Sequence, residues 1–76
     1  MSKTVPQLKI TNRLHVLRAE RRMTQEQLAN DIGVTRATIV AIEGGNYNPS
    51  LELAFRIARY FQVDINLIFS IEEEMK

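Results

Sequence analysis

The sequence predicts a mainly helical fold of five helices, with a small antiparallel sheet formed by the N-terminal and C-terminal segments. Residues that cap helices stand ahead of segments in which apolar residues recur at helical spacing. The two ends of the chain instead alternate polar and apolar residues, which is typical of half-buried strands. Because the chain has only 76 residues, we expect one domain that spans residues 1–76.

The first predicted elements are a strand and a helix. Residues 1–6 are short and mostly polar, and we expect them to be disordered. Gln7–Thr11 alternates polar and apolar side chains and predicts the strand. Asn12 is a favourable N-cap, so the first helix is expected to run over about Arg13–Arg22.

The second and third predicted helices form the centre of the chain, residues 24–43. Thr24 and Gln27 have the spacing of a capping box, which begins the second helix. Gly33 follows the last apolar residue of that helix, where a chain that leaves a helix needs a positive φ. Thr35 then caps the third helix. Two helices joined by a short glycine-containing turn form a helix-turn-helix.

The fourth and fifth predicted helices follow a loop at residues 44–49 that is rich in Gly and Asn. Ser50 caps the fourth helix, and Asp64 begins a short fifth helix over about Ile65–Ile68. The apolar face of the fourth helix is expected to contain Leu51, Leu53, Ala54, Ile57, Ala58 and Phe61.

The two ends of the chain are expected to pair with each other, because chain ends often meet in small domains. Leu8–Thr11 is expected to lie antiparallel to about Phe69–Glu73. Two alternatives stay open at this point. Either both ends are frayed coil, or the fifth helix extends to Met75.

Composition argues against several classes of function. The sequence has no cysteine, which excludes disulfides and thiolate metal sites, and His15 is its only histidine. It contains no nucleophile elbow and no phosphate-binding glycine loop. It also has no apolar run near the ~18 residues of a membrane span, and its N-terminus lacks a signal-peptide core. We therefore expect a cytoplasmic protein that is not an enzyme and has no cofactor, metal or small-molecule effector.

Positive charge is concentrated in the body of the chain. Residues 1–63 contain nine Lys and Arg against five Asp and Glu, a net charge of +4, and residues 64–76 contain one Lys against four Asp and Glu, a net charge of −3. This distribution favours contact between the body and nucleic-acid phosphates. We expect the acidic tail, Glu72–Glu74, to face away from DNA, and a merely solvated terminus is an equally good interpretation of it.

The central motif TQEQLANDIGVTRATIVAIEGGNYNPS resembles the helix-turn-helix of the phage lambda-repressor and Cro family, also called the xenobiotic-response-element family of regulators. The resemblance covers about Asn12 to Phe69. Within it, EGGNYNPSLELAFRIARYF is similar to small stand-alone members such as the enterococcal cytolysin repressor. The resemblance implies a five-helix lambda-repressor-like DNA-binding domain. It also implies a homodimeric repressor of transcription that binds an inverted-repeat operator in double-stranded DNA through the major groove.

Contacts with DNA phosphates are predicted near the starts of the second and third helices and in the following loop. Gln25 lies in the first turn of the second helix, where N–H groups and the helix dipole favour an anion. The family resemblance implies contacts with the DNA backbone for five residues, Thr35, Thr38, Asn46, Tyr47 and Asn48. For Thr35 the alternative is a cap alone, although one hydroxyl can serve both roles.

Base reading is assigned to the outer face of the third helix. The positions that face away from the core are Thr35, Arg36, Ala37, Val40 and Ala41. Arg36 is the one clear base reader, because a guanidinium can contact guanine O6 and N7 together. Family members often carry polar side chains where this sequence has alanine and valine. Apolar contact with thymine methyl groups, readout of DNA shape and a base contact by Asn48 are the remaining options.

Arg18 and Glu43 are a further pair that the family resemblance assigns to each other, between the first helix and the end of the third. We favour a buried structural ion pair. The alternative is that Glu43 orients Arg18 towards a phosphate.

The end of the chain has more apolar surface than one short helix can bury, and this surplus predicts a dimer interface. The interface residues are expected to be Ile65, Leu67, Ile68, Phe69 and Ile71. An antitoxin or adaptor that binds a protein partner is the alternative function. A phage or plasmid module that controls copy state is a third.

Overall fold

Four α-helices, one 3₁₀ turn and a two-stranded sheet make up residues 5–72, the part of the chain that the computed structural model describes. In chain order they are β1 (Ile10–Asn12), α1 (Leu14–Glu20), α2 (Gln25–Ile32), α3 (Arg36–Glu43), α4 (Leu51–Phe61), the 3₁₀ turn (Ile65–Leu67) and β2 (Phe69–Ile71). The mainly helical class and the small antiparallel sheet are confirmed.

The predicted count of five helices is wrong for residues 5–72, because the predicted fifth helix is a single 3₁₀ turn. Asp64 caps this turn by accepting a hydrogen bond from the Asn66 N–H. The Leu67 and Ile68 N–H groups then donate to carbonyls three residues back. Segments of 3₁₀ helix are normally short because their hydrogen bonds are poorly aligned, and here the chain enters β2 at Phe69.

Side-chain caps begin α2, α3 and α4 as predicted. Thr24 Oγ1 accepts a hydrogen bond from the Gln27 N–H at 3.0 Å, and Gln27 Oε1 accepts one from the Thr24 N–H at 2.8 Å, which completes the capping box. Thr35 and Ser50 each accept from the N–H three residues later. Gly33 follows α2 with a φ of 81°, in the left-handed region that favours glycine.

Helix α1, Leu14–Glu20, is shorter than predicted at both ends. Arg13 occupies the N-cap position of α1, but its side chain makes no capping hydrogen bond. Asn12 supplies the cap instead, since its Oδ1 accepts a hydrogen bond from the Leu14 N–H at 3.1 Å. At the other end, Arg22 has a φ of 55°. A residue in the left-handed region cannot continue a right-handed helix, and the chain therefore turns towards α2.

The predicted pairing of the two chain ends is confirmed. β1 and β2 are antiparallel, with Asn12 opposite Phe69. The Glu72 N–H continues the hydrogen bonding beyond the strands by donating to the Lys9 carbonyl at 2.8 Å. The ends therefore form a sheet rather than frayed coil over these residues.

The bounds of the strands differ from the prediction. β1 begins at Ile10, so residues 7–9 lie outside it. No helix continues beyond the 3₁₀ turn within residues 5–72, since β2 occupies Phe69–Ile71. Residues 1–4 of the segment predicted to be disordered, Glu73 of the predicted strand and Met75 of the alternative helix lie outside the described residues.

One cluster of apolar side chains forms the core where the helices meet. Its buried members are Leu14, Leu28, Ala29, Ile32, Ile39, Ile42, Leu53, Ile57, Ala58, Phe61 and Ile68. The prediction for α4 is correct except at Leu51, which is 72% exposed. Residues four apart share a face of a helix, so Leu51 lies with the exposed Phe55 on the outer side of α4.

Polar contacts from α4 hold α2 and the turn that follows it. Arg56 Nη1 donates to the carbonyl of Ile32, the last residue of α2, at 2.7 Å. The Tyr60 hydroxyl donates to Asp31 Oδ2 at 2.6 Å. That hydrogen bond, together with burial, raises the pKa of the Tyr60 phenol above its ordinary value. The helix-turn-helix is therefore attached to α4 by hydrogen bonds as well as by the core.

Ile68 belongs to the core and not to a dimer surface. Its side chain is 1% exposed, whereas that of the preceding residue, Leu67, is 58% exposed. The 3₁₀ turn directs neighbouring side chains to different sides, which the apolar pattern of the sequence does not reveal. The assignment of Ile68 to the interface is therefore corrected.

Ile68→Ala should lower the free energy of unfolding by about 2–5 kcal/mol, because it leaves a cavity at a buried position. Leu67→Ala, at the preceding position, should cost about 0.5 kcal/mol or less, because its side chain is largely in solvent. Urea unfolding followed by circular dichroism measures both, at a low protein concentration where self-association contributes little. Equal losses would contradict the placement of Ile68 in the core.

Candidate nucleic-acid interface

Helix α3 presents the predicted base-reading residues on one outer face. Thr35, Arg36, Ala37 and Val40 are exposed and Ala41 is half-buried, while Ile39 and Ile42 are buried on the opposite side. Arg36 makes no ion pair or side-chain hydrogen bond with residues 5–72. Its guanidinium is thus available to an external acceptor.

The N-terminal end of α3 carries two hydroxyl groups in contact. Thr35 Oγ1 accepts a hydrogen bond from the Thr38 N–H at 3.2 Å and lies 3.0 Å from Thr38 Oγ1. One of the two hydroxyls donates to the other, so the second hydroxyl keeps its hydrogen for another acceptor. The cap and a phosphate contact are therefore compatible at this end.

The predicted pairing of Arg18 with Glu43 is present as a two-pronged ion pair. Arg18 Nε donates to Glu43 Oε2 at 2.7 Å, and Arg18 Nη2 donates to Glu43 Oε1 at 3.0 Å. The remaining nitrogen, Nη1, donates to the Met23 carbonyl at 2.8 Å. The hydrogen bond to Glu43 raises the pKa of Arg18 above its ordinary value, so the guanidinium stays charged.

This geometry favours the structural interpretation of the pair. The side chains of Arg18 and Glu43 are 19% and 10% exposed, and each guanidinium nitrogen has a partner within the protein. Three of the five guanidinium N–H groups are therefore used within the protein, and the other two belong to a side chain that is mostly buried. The pair links α1 to the last residue of α3. Through the Met23 carbonyl, Arg18 also holds the segment that connects α1 to α2.

The Gln25 side chain also contacts the Arg18–Glu43 pair. The sequence interpretation missed this contact. Gln25 Nε2 donates to Glu43 Oε1 at 3.1 Å, so the side-chain amide points at the carboxylate and is half-buried. The signal in the sequence was its position directly after the cap of α2, next to the end of α3 in a helix-turn-helix. A phosphate contact by Gln25 is left to its backbone N–H and to the second hydrogen of its amide.

The loop after α3 brings the other predicted phosphate contacts to the C-terminal end of that helix. The Gly44 and Asn46 N–H groups donate to carbonyls in the last two turns of α3, and Gly45 has a φ of 78°. Asn46, Tyr47 and Asn48 are exposed there. Since α3 has eight residues and is about 12 Å long, polar side chains flank its outer face at both ends.

The described part of the acidic tail lies beside the terminal sheet. Glu72 is 3.6 Å from the Lys9 ammonium, and it follows β2 directly. Glu73 and Glu74 lie outside the described residues.

Within residues 5–72, no helix has the length and apolar character needed to cross a bilayer. Over the same residues, no three side chains of His, Cys, Asp or Glu come together as metal ligands.

Comparison with known proteins identifies the family. A sequence model described as helix-turn-helix matches residues 14–68. An HTH-type transcriptional regulator of Methanocaldococcus jannaschii is 52% identical over 63 residues, which cover 83% of this chain and 96% of that protein. The transcriptional repressor RstR of the cryptic phage CTXphi, from Vibrio cholerae, is 35% identical over 71 residues, 87% of this chain and 64% of that protein.

Solved structures give the same result for the fold. The restriction-modification controller protein C.AhdI from Aeromonas hydrophila superposes with a TM-score of 0.65 at 28% identity, over 71% of this chain and 78% of that chain. The sequence resemblance is thus confirmed by a match that includes all four α-helices. The chain belongs to the helix-turn-helix family of transcriptional regulators, of the lambda-repressor and Cro type.

Proposed function

We propose that the chain is a homodimeric repressor that binds an inverted-repeat operator through the major groove of DNA. The observation that carries the proposal is the outer face of α3. There Arg36, which has no side-chain partner within residues 5–72, lies among small apolar side chains. An α-helix fits the major groove of B-form DNA. RstR, a relative at 35% identity, is named as a transcriptional repressor, which supports the sign of regulation.

Arg36 supplies the specific hydrogen bonds in this proposal. Its guanidinium donates to O6 and N7 of one guanine in each half-site. Ala37 and Val40 offer apolar contact, which suits thymine methyl groups. Asn48, an exposed amide in the loop after the helix, can add a base contact.

Phosphate contacts position α3 in the groove. Thr35 and Thr38 provide hydroxyls at one end of the helix, and Asn46 and Tyr47 provide polar groups at the other. The backbone N–H groups at the start of α2 add donors at Gln25, together with the positive end of the helix dipole. These contacts fix register without reading sequence.

A second copy of the chain is the proposed occupant of the apolar surface near β2. Leu67 is 58% exposed and Ile71 is 46% exposed, with Ile65 and Phe69 half-buried beside them. A shallow groove of about 310 Å³ adjoins this surface, and its lining is mostly apolar. Self-association would remove this surface from water, as symmetric dimers of small proteins do. Two copies also double the base and phosphate contacts.

An adaptor or antitoxin that binds a protein partner is the second candidate. Leu51 and Phe55 form an exposed apolar patch on α4, bordered by Arg56 and Arg59, and Leu51 also lines the groove beside Ile65 and Phe69. If that patch rather than the surface near β2 binds a protein, the chain can act without a dimeric operator complex.

Arg36→Ala should greatly reduce the preference for operator over scrambled DNA, because it removes a bidentate guanine contact worth about 1–3 kcal/mol per half-site. Gln25→Ala should instead weaken binding to both duplexes alike, because it removes the bond to Glu43 and the amide hydrogen that is left for a phosphate, and neither contact reads a base. Affinity titrations with an operator selected from a random duplex pool make the comparison at fixed salt. Full preference retained by Arg36→Ala would move base reading to Asn48 or to DNA shape.

Leu67→Asp should convert the dimer to monomer, because it places a charge in the apolar interface. Phe55→Asp is the matched control, since it makes the same kind of change on the exposed patch of α4. Sedimentation equilibrium at micromolar concentration measures both. A wild-type protein that sediments only as an 8.8 kDa monomer would reject the dimer, and dissociation by Phe55→Asp alone would move the interface to α4.

A further inference from the structure

Asn12 joins two elements that are far apart in the sequence. Its Oδ1 accepts a hydrogen bond from the Leu14 N–H at 3.1 Å, and its Nδ2 donates to the Ile42 carbonyl at 2.9 Å. A backbone N–H only donates and a carbonyl only accepts, so one orientation of the amide satisfies both partners. The side chain therefore connects the start of α1 to the last turn of α3.

Asn12 is also a residue of the terminal sheet. It lies in β1 opposite Phe69 of β2. The next residue, Arg13, donates its N–H to the Ile68 carbonyl at 2.8 Å. One side-chain amide thus connects the base-reading helix to the strand pair next to the proposed dimer surface.

The C-terminal end of α3 depends on such polar links. The helix packs mainly against α2, and the last carbonyls of a helix have no partner within it. Besides Asn12, the Ile42 carbonyl accepts the Gly45 N–H at 3.0 Å, which belongs to the following loop. Glu43 is held by Arg18 from the side of α1. Asn12 is the link that comes from the sheet.

We propose that Asn12 is a positioning residue, whose amide fixes the direction of α3 relative to the terminal sheet. The inference rests on the proposed function, because in the dimer this direction sets the distance and the phase between the two base-reading helices. Asn12 acts through the Ile42 carbonyl, and its side chain does so without touching DNA.

Two variants separate the positioning role from the cap. Asn12→Asp keeps an acceptor that is favourable at the start of a helix, but its carboxylate has no hydrogen for the Ile42 carbonyl. Asn12→Ser also keeps a capping oxygen, on a side chain too short to span to α3. Thr11→Val is the control, since it removes the hydroxyl that lies 3.1 Å from Ser70 Oγ and leaves both Asn12 hydrogen bonds in place.

Hydrogen exchange of the free protein, followed by NMR, tests the positioning itself. The amides of residues 44–46 donate to carbonyls near the end of α3 and report on that end, whereas the Ile57 amide in α4 reports on global opening. We expect exchange at residues 44–46 to be about fivefold faster in both Asn12 variants than in Thr11→Val. Exchange that is unchanged there, or accelerated equally at Ile57, would overturn the proposal.

Operator spacing tests the consequence for recognition. Duplexes with the two half-sites at the preferred separation, and at one base pair more or less, are compared for each protein. The Asn12 variants should lose about fivefold of the preference for the best spacing, whereas a loss of folded protein alone would weaken all duplexes equally. A full preference in both variants would overturn the proposal. A wild-type protein without any spacing preference would reject the dimer instead, and hydrogen exchange would still decide on Asn12.

Discussion

The ion pair between Arg18 and Glu43 is the constraint on which the position of α3, the proposed DNA-reading helix, depends. Helix α3 has eight residues and packs mainly against one other helix. Packing of its apolar face alone therefore fixes its position only weakly. The bidentate contact with α1, the third hydrogen bond to Met23 and the amide of Gln25 fix its last residue from two helices. Loss of one partner of a fully buried pair typically costs ~3–5 kcal/mol. Because this pair is partly exposed, its loss should cost less than that, but still an appreciable part of the stability of a small domain.

A fixed α3 matters more here because its outer face has few hydrogen-bonding groups. With alanine and valine at the central positions, one guanidinium would carry the direct readout in the proposed complex, and the rest would fall to apolar contact and DNA shape. Such readout would tolerate little freedom in the helix, since shape would be read through the proposed phosphate contacts at both of its ends. The links from Arg18 and Asn12 to the end of α3 meet this requirement, and the apolar surface near β2 offers a way to repeat the short helix on a second half-site.

Local signals in the sequence predicted the helix-turn-helix in detail, because its caps and turn depend on neighbouring residues. Thr24, Gln27, Gly33 and Thr35 all occupy the conformations their chemistry favours. Features decided by tertiary packing were not predictable in this way. One of them is that Leu67, in the 3₁₀ turn, is exposed, whereas Ile68, directly after the turn, is buried.

The direction of polar side chains could not be predicted from the sequence either. Gln25 was assigned to phosphate from its place at a helix N-terminus, yet its amide donates to a carboxylate on α3.

Dimethyl sulfate footprinting on the selected operator tests most directly whether α3 reads the major groove, because the reagent methylates guanine N7 there and adenine N3 in the minor groove. We expect one protected guanine N7 in each of two half-sites, about one helical turn apart, with adenine N3 reactivity unchanged. Protection confined to adenine N3, or no guanine protection in a saturated complex, would contradict the role of α3.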